Sequence, residues 1–148
     1  MRLVADTNVL MTAFWSASIF SGLAARADIT LYAPAYALKE LKEHEDEIRG
    51  KTKATAHEFA GKMESLKAHV RFFDKKEYSA GLRKMGKELR KLDLKDALQI
   101  REDIDFLTLA HVRKCALWSN DSLLKKQKIV DVFSTRELIQ LLGPEQKS

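Results

Sequence analysis

The segment MRLVADTNVLMTAF (residues 1–14) decides how the rest of the chain is read. Four residues, Arg2 to Ala5, lead to Asp6, Thr7 and Asn8, and an apolar run resumes at Val9. Leu3 and Val4 favour a strand. An acid, a hydroxyl and an amide in succession favour the cap of a helix. The stretch therefore reads as strand, turn and helix, with the acid on the turn. A second segment repeats the design: CALWSND (residues 115–121) is a short apolar strand that ends on Ser119, Asn120 and Asp121.

Between and beyond these segments, short strands alternate with helices. Apolar spacing predicts a helix from Val9 to about Ala25, a strand over Ile29–Pro34 and a helix from Ala35 to about Glu47, with Pro34 suited to helix entry. Thr52–His69 reads as a helix, His69–Asp74 as a strand and Lys76–Lys91 as a basic helix. Asp93–Ile100 is open. Asp103–Lys114 is a strongly amphipathic helix, Cys115–Ser119 a strand, Leu123–Lys128 a turn or short helix, and Val130–Ser134 a last strand. Thr135 caps a helix that ends near Gly143. Alternation of this kind predicts one α/β domain over residues 1–142, a mainly parallel sheet covered on both faces in three α/β/α layers. Residues 143–148 read as a flexible tail.

The chain has 148 residues, 45% hydrophobic and 32% charged, enough for one core and a solvated surface. The net charge of +5 permits a polyanionic partner. A single cysteine, Cys115, allows no intrachain disulfide and no multi-cysteine zinc site. It fits a reducing compartment. No apolar stretch approaches the roughly 18 residues that span a bilayer, and Asp6 interrupts what would be the core of a signal peptide. The cytoplasm is the expected location, with no membrane partner. No glycine-rich phosphate loop is present, and Asn8 stands where a D-x-D phosphatase would carry its second aspartate.

Ligand sites in open parallel sheets form beyond the C-terminal ends of the strands. Asp6 and Asp121 sit at two such ends. Glu40, early in the second helix, and Asp103, at the start of DIDFLTLAHVRK, are candidates to join them. Four carboxylates at one edge repel one another unless a cation neutralises them. Oxygen ligands alone point to Mg²⁺ or Mn²⁺.

At these residues the chain resembles the PIN domain, the PilT N-terminal nuclease fold. LVADTNVLMTAF resembles that family's first motif, YAPAYALKELKEH its second, and DIDFLTLAHVRKCALWSND its third and fourth; IVDVFSTRELIQLL resembles the close of prokaryotic members, the toxin-like VapC type. The resemblance implies a Mg²⁺- or Mn²⁺-dependent endoribonuclease, often the toxin of a toxin–antitoxin pair, with an RNA substrate, a small antitoxin protein as partner, and a homodimer. It carries four acids over to this chain: Asp6, Glu40, Asp103 and Asp121. Thr7, Asn8, Ser119 and Asn120 match polar positions that support them. Asp105 is the alternative third acid. A catalytically lapsed PIN-like RNA-binding or protein-interaction module is the alternative function, and the presence of all four acids argues against it.

Two further expectations concern the surroundings of the acids. Lys125, Lys126 and Lys128 follow Asp121 closely and are expected on the rim, holding backbone phosphates. Phe14, Trp15, Ile19 and Phe20 offer more large apolar groups than one helix face buries, which favours a dimer contact.

Overall fold

Strand β1 (Arg2–Ala5) is the middle of a five-stranded sheet in the computed structural model, which describes residues 1–15 and 19–144. The order is β3-β2-β1-β4-β5, with β2 at Thr30–Pro34, β3 at Val70–Phe73, β4 at Ala116–Trp118 and β5 at Val132–Phe133. Every neighbouring pair is parallel. Leu3 stands beside Leu31 on one side and Ala116 on the other. Leu3, Val4 and Ala5 are all fully buried. Successive strand residues point to opposite faces, so both faces of β1 are covered, as the apolar run predicts.

The chain first builds outward on one side, from β1 to β2 to β3. It then returns across the sheet to lay β4 on the other side of β1, and β5 beyond it. The return crosses α6 (Leu82–Leu89), α7 (Leu94–Ile100) and α8 (Ile104–Val112). In α8, residues Phe106 to Ala110 are all buried, and the helix packs on β1, β2 and β4. It ends at Lys114 in the left-handed region (φ 55°). Cys115 N–H reaches Ala110 carbonyl and Lys114 N–H reaches His111 carbonyl. These paired bonds close the helix and turn the chain into β4.

Several expected helices are shorter than their apolar spacing suggests. The run from Val9 divides into α1 (Thr7–Met11), a 3₁₀ turn (Thr12–Phe14) and α2 (Ile19–Ala24); residues 16–18 lie outside the described residues. Thr12 hydroxyl donates to Val9 carbonyl at 2.6 Å, a local bond that competes with the helical ladder. The helix expected over 35–47 is two, α3 (Tyr36–Glu43) and α4 (Glu45–Thr52), broken at His44. Helix α5 (Ala56–His69) begins at a capping box between Thr55 and Glu58. The basic helix expected from Lys76 starts only at Leu82, because two 3₁₀ turns precede it. At Gly81 a Cβ would meet a Val112 methyl at 2.8 Å, so this turn needs glycine to approach α8. The open segment Asp93–Ile100 is helical: Asp93 accepts from Asp96 N–H at 3.0 Å and starts α7. Helix α9 (Thr135–Leu142) is capped by Ser134, one residue before the expected Thr135.

The apolar surplus expected on the first helix is half absorbed by the core. Phe14 stacks on Phe59 with centroids 4.9 Å apart, and Phe20 stacks on Trp118 at 5.5 Å. Both phenylalanines are buried, while Trp15 and Ile19 are exposed. Among the described residues no helix is long and apolar enough to cross a membrane.

Trp118 is buried and its indole N–H donates to Thr135 Oγ1 at 2.9 Å, which joins β4 to α9. Trp118→Ala is expected to cost about 3–5 kcal/mol, read as a lower urea midpoint with an unchanged m-value.

Candidate active site

The strand order places a crevice where the connections diverge, between the C-terminal ends of β1 and β4. Asp6 follows β1 there. Its N–H donates to Trp118 carbonyl at 3.2 Å, the last bond between the two strands. Asp6 caps α1, with Oδ1 accepting from Val9 N–H at 2.8 Å. Ser119 follows β4, is buried, and supplies a second bond to the Asp6 carboxylate. The Ser119 oxygen also accepts from Asp121 N–H at 3.1 Å. One hydroxyl thus ties the acid of β1 to the acid of β4. Asp121 in turn caps a 3₁₀ turn (Ser122–Lys126) by accepting from Leu123 N–H at 3.0 Å.

Two other walls complete a cleft of about 780 Å³. Helix α3 contributes Glu40, whose Oε1 accepts from Thr7 hydroxyl at 2.7 Å. The end of α7 and the turn after it contribute Gln99, Glu102 and Asp103. Asn8 also lines the cleft. Asp105, the alternative third acid, accepts from Tyr78 hydroxyl at 2.8 Å and is not among the lining residues.

Five carboxylates therefore face one cleft: Asp6, Glu40, Glu102, Asp103 and Asp121. Among the described residues no lysine or arginine lines it, although the chain as a whole carries +5. Burial pushes the Asp6 carboxyl above its ordinary range, and Asp121 and Glu40 add to the shift, while the bonds from Ser119 and Val9 oppose it. Asp103 is pushed up to about 7, first by burial and then by Asp6, Asp121, Glu40 and Glu102. The donor set is oxygen-only and mutually repelling, which suits a hard divalent cation. As placed, the carboxylates share the cleft without closing on one point: among the described residues no three acid, histidine or cysteine side chains have metal-holding geometry. Their local donors account for this, since Asp6, Glu40 and Asp121 are each held by a separate backbone or hydroxyl group.

Other expected residues lie elsewhere. Asn120 accepts from Thr135 N–H at 2.8 Å, so it fastens α9 and does not line the cleft. None of the three lysines lines the cleft either. Lys125 pairs with Glu137, Lys126 with Asp96 at 2.6 Å, and Lys128 donates to Lys125 carbonyl at 3.2 Å. Ion pairs of Lys125 and Lys126 bind the turn to α9 and α7. Tyr36, His44 and Gln99, which the sequence analysis does not single out, also line the cleft. The spacing Tyr36–Glu40–His44, four residues at each step, is the signal that places them on one helix face.

The Asp103 shift has a sign that can be measured. Its folded value, about 7, exceeds its ordinary 3.8, so on raising the pH the unfolded chain loses this proton first. The metal-free protein should then lose stability from about pH 4 to about pH 7 and level off above. Asp103→Asn is expected to raise the thermal midpoint at pH 8 in EDTA and to leave it nearly unchanged below pH 4.

The comparison with curated proteins gives no match. Among solved structures, the fold is similar to that in the crystal structure of VapBC2 from Rickettsia felis bound to a DNA fragment from their promoter. The TM-score is 0.62 at 16% identity, covering 90% of this chain and 98% of that one. A family model for the PIN domain matches residues 4–141, a span that takes in the end of β1, the other four strands and every wall of the acidic cleft. The chain belongs to the PIN domain family, whose members are typically nucleases.

Proposed function

We propose that the protein is a divalent-metal-dependent endoribonuclease, a hydrolase of RNA phosphodiester bonds, acting in the cytoplasm as the toxin of a toxin–antitoxin pair. The observation that carries this is the cleft that, among the described residues, is lined by five carboxylates and no lysine or arginine, in a chain of net charge +5. A phosphodiester cannot approach such a cleft without a cation beside it. Mg²⁺ or Mn²⁺, held by Asp6, Asp103 and Asp121 with Glu40, would supply charge neutralisation and an acidified water.

The side chains divide the remaining work. Asp6 is fixed by Val9 and Ser119 and presents its carboxylate to the cleft from the buried end. Glu40 has Oε1 committed to Thr7, which leaves Oε2 to orient an attacking water and accept its proton. Asp103 holds its proton to about pH 7 and gives it up when positive charge enters. A small antitoxin protein is the partner this reading implies, on the strength of family and of fold likeness to VapBC2. A homodimer belongs to the same reading, with exposed Trp15 and Ile19 as the apolar groups left to it.

The test is cleavage of RNA by purified protein with Mn²⁺ or Mg²⁺, against EDTA and against Asp6→Asn. Asp6→Asn is expected to lower kcat/KM about a thousandfold or more, and Mn²⁺ should raise the thermal midpoint of the wild type but not of the variant. Cleavage by Asp6→Asn at the wild-type rate would sink the reading.

A further inference from the structure

The wall formed by α3 carries more than an acid. Tyr36, Glu40 and His44 follow one another at four-residue steps and all line the cleft. Tyr36 stands one turn before Glu40, about 6 Å along the helix axis. Most of the chain's rings are committed to the interior, including Phe14, Phe20, Phe59, Phe73, Phe106 and Trp118. Trp15 and Tyr36 are the exposed aromatic side chains among the described residues, and of these Tyr36 lines the cleft, 46% exposed.

We propose that Tyr36 is the stacking platform for an unpaired base next to the scissile phosphate. This rests on the nuclease reading above and deepens it. Among the described residues the cleft offers no guanidinium or ammonium group to grip a phosphate, so a π face is the sequence-tolerant contact this wall can make with a nucleotide. The Glu40 carboxylate holds the phenol above its usual pKa range, so the ring stays neutral beside an anionic strand. A base inside a duplex is stacked on both faces and is not free to meet the ring, whereas a base in a single strand is. The site therefore selects a single-stranded stretch at the point of cleavage. Helix α3 fixes the side from which the strand enters, with His44, its Nδ1 3.2 Å from Glu47, at the far end of the same wall.

The experiment uses a single-stranded RNA with a mapped cleavage site, and two versions with the base removed on either side of the scissile phosphate. Wild type, Tyr36→Phe and Tyr36→Ala are compared with Mn²⁺. On the intact strand, Tyr36→Ala should raise KM about tenfold to a hundredfold, and Tyr36→Phe should stay within about threefold of wild type. On one abasic strand, wild type should fall to the level of Tyr36→Ala, and the variant should lose nothing more. Equal losses from Tyr36→Ala on the intact and both abasic strands would overturn the proposal. If the wild type cleaves no strand, the nuclease reading fails, and stacking is judged separately with a single strand carrying 2-aminopurine. Quenching by wild type and Tyr36→Phe but not by Tyr36→Ala supports the platform; equal quenching by all three overturns it.

Discussion

The pairing of β1 with β4 is the constraint on which the site depends. Asp6 N–H on Trp118 carbonyl closes it at the C-terminal end of both strands. Asp6 and Asp121 are neighbours because their strands are neighbours. Ser119 makes the link closer, since its oxygen serves both residues. The other walls are hung on this pair. Thr7, the residue after Asp6, orients Glu40, and α8 sets the height of Asp103 by packing beneath β1, β2 and β4.

Electrostatics opposes what the backbone arranges. Burial, and after it the neighbouring carboxylates, raise the proton affinity of Asp6 and Asp103. The fold offsets part of this with neutral donors, placing a backbone N–H or hydroxyl on Asp6, Glu40 and Asp121. It places lysines nearby, yet spends them on Glu137 and Asp96. The basic surplus of the chain thus sits outside the cleft, and the acids keep their unbalanced charge. That imbalance is what a cation would relieve.

The strands and their terminal acids were legible because short apolar runs ending on Asp6 and Asp121 have few other readings. Glu40 and Asp103 were named through the family resemblance, and both line the cleft, whereas Asp105 accepts from the Tyr78 hydroxyl. Helix lengths were not legible. Apolar spacing continues through Thr12 and His44, where a side-chain bond or a change of backbone angle stops the helix. The three lysines follow Asp121 closely in sequence, but which way a 3₁₀ turn faces is not written there, and none of them lines the cleft. Trp15, Ile19, Phe14 and Phe20 looked alike in sequence, and only stacking on Phe59 and Trp118 separates buried from exposed. Tyr36 was present in a readable stripe, but a stripe does not say whether it faces core or crevice.

The strand order also governs when the cleft comes into being during synthesis. Strands β1, β2 and β3 lie in the first half of the chain and pair with one another. Leu3, however, must wait for Ala116 to complete its other side. Contacts so far apart in sequence close large loops and form late. A nascent chain that has not yet extruded β4 carries Asp6 on an open sheet edge, with neither Ser119 nor Asp121 beside it. The emerging polypeptide cannot assemble the acidic cleft until nearly all of it has left the ribosome.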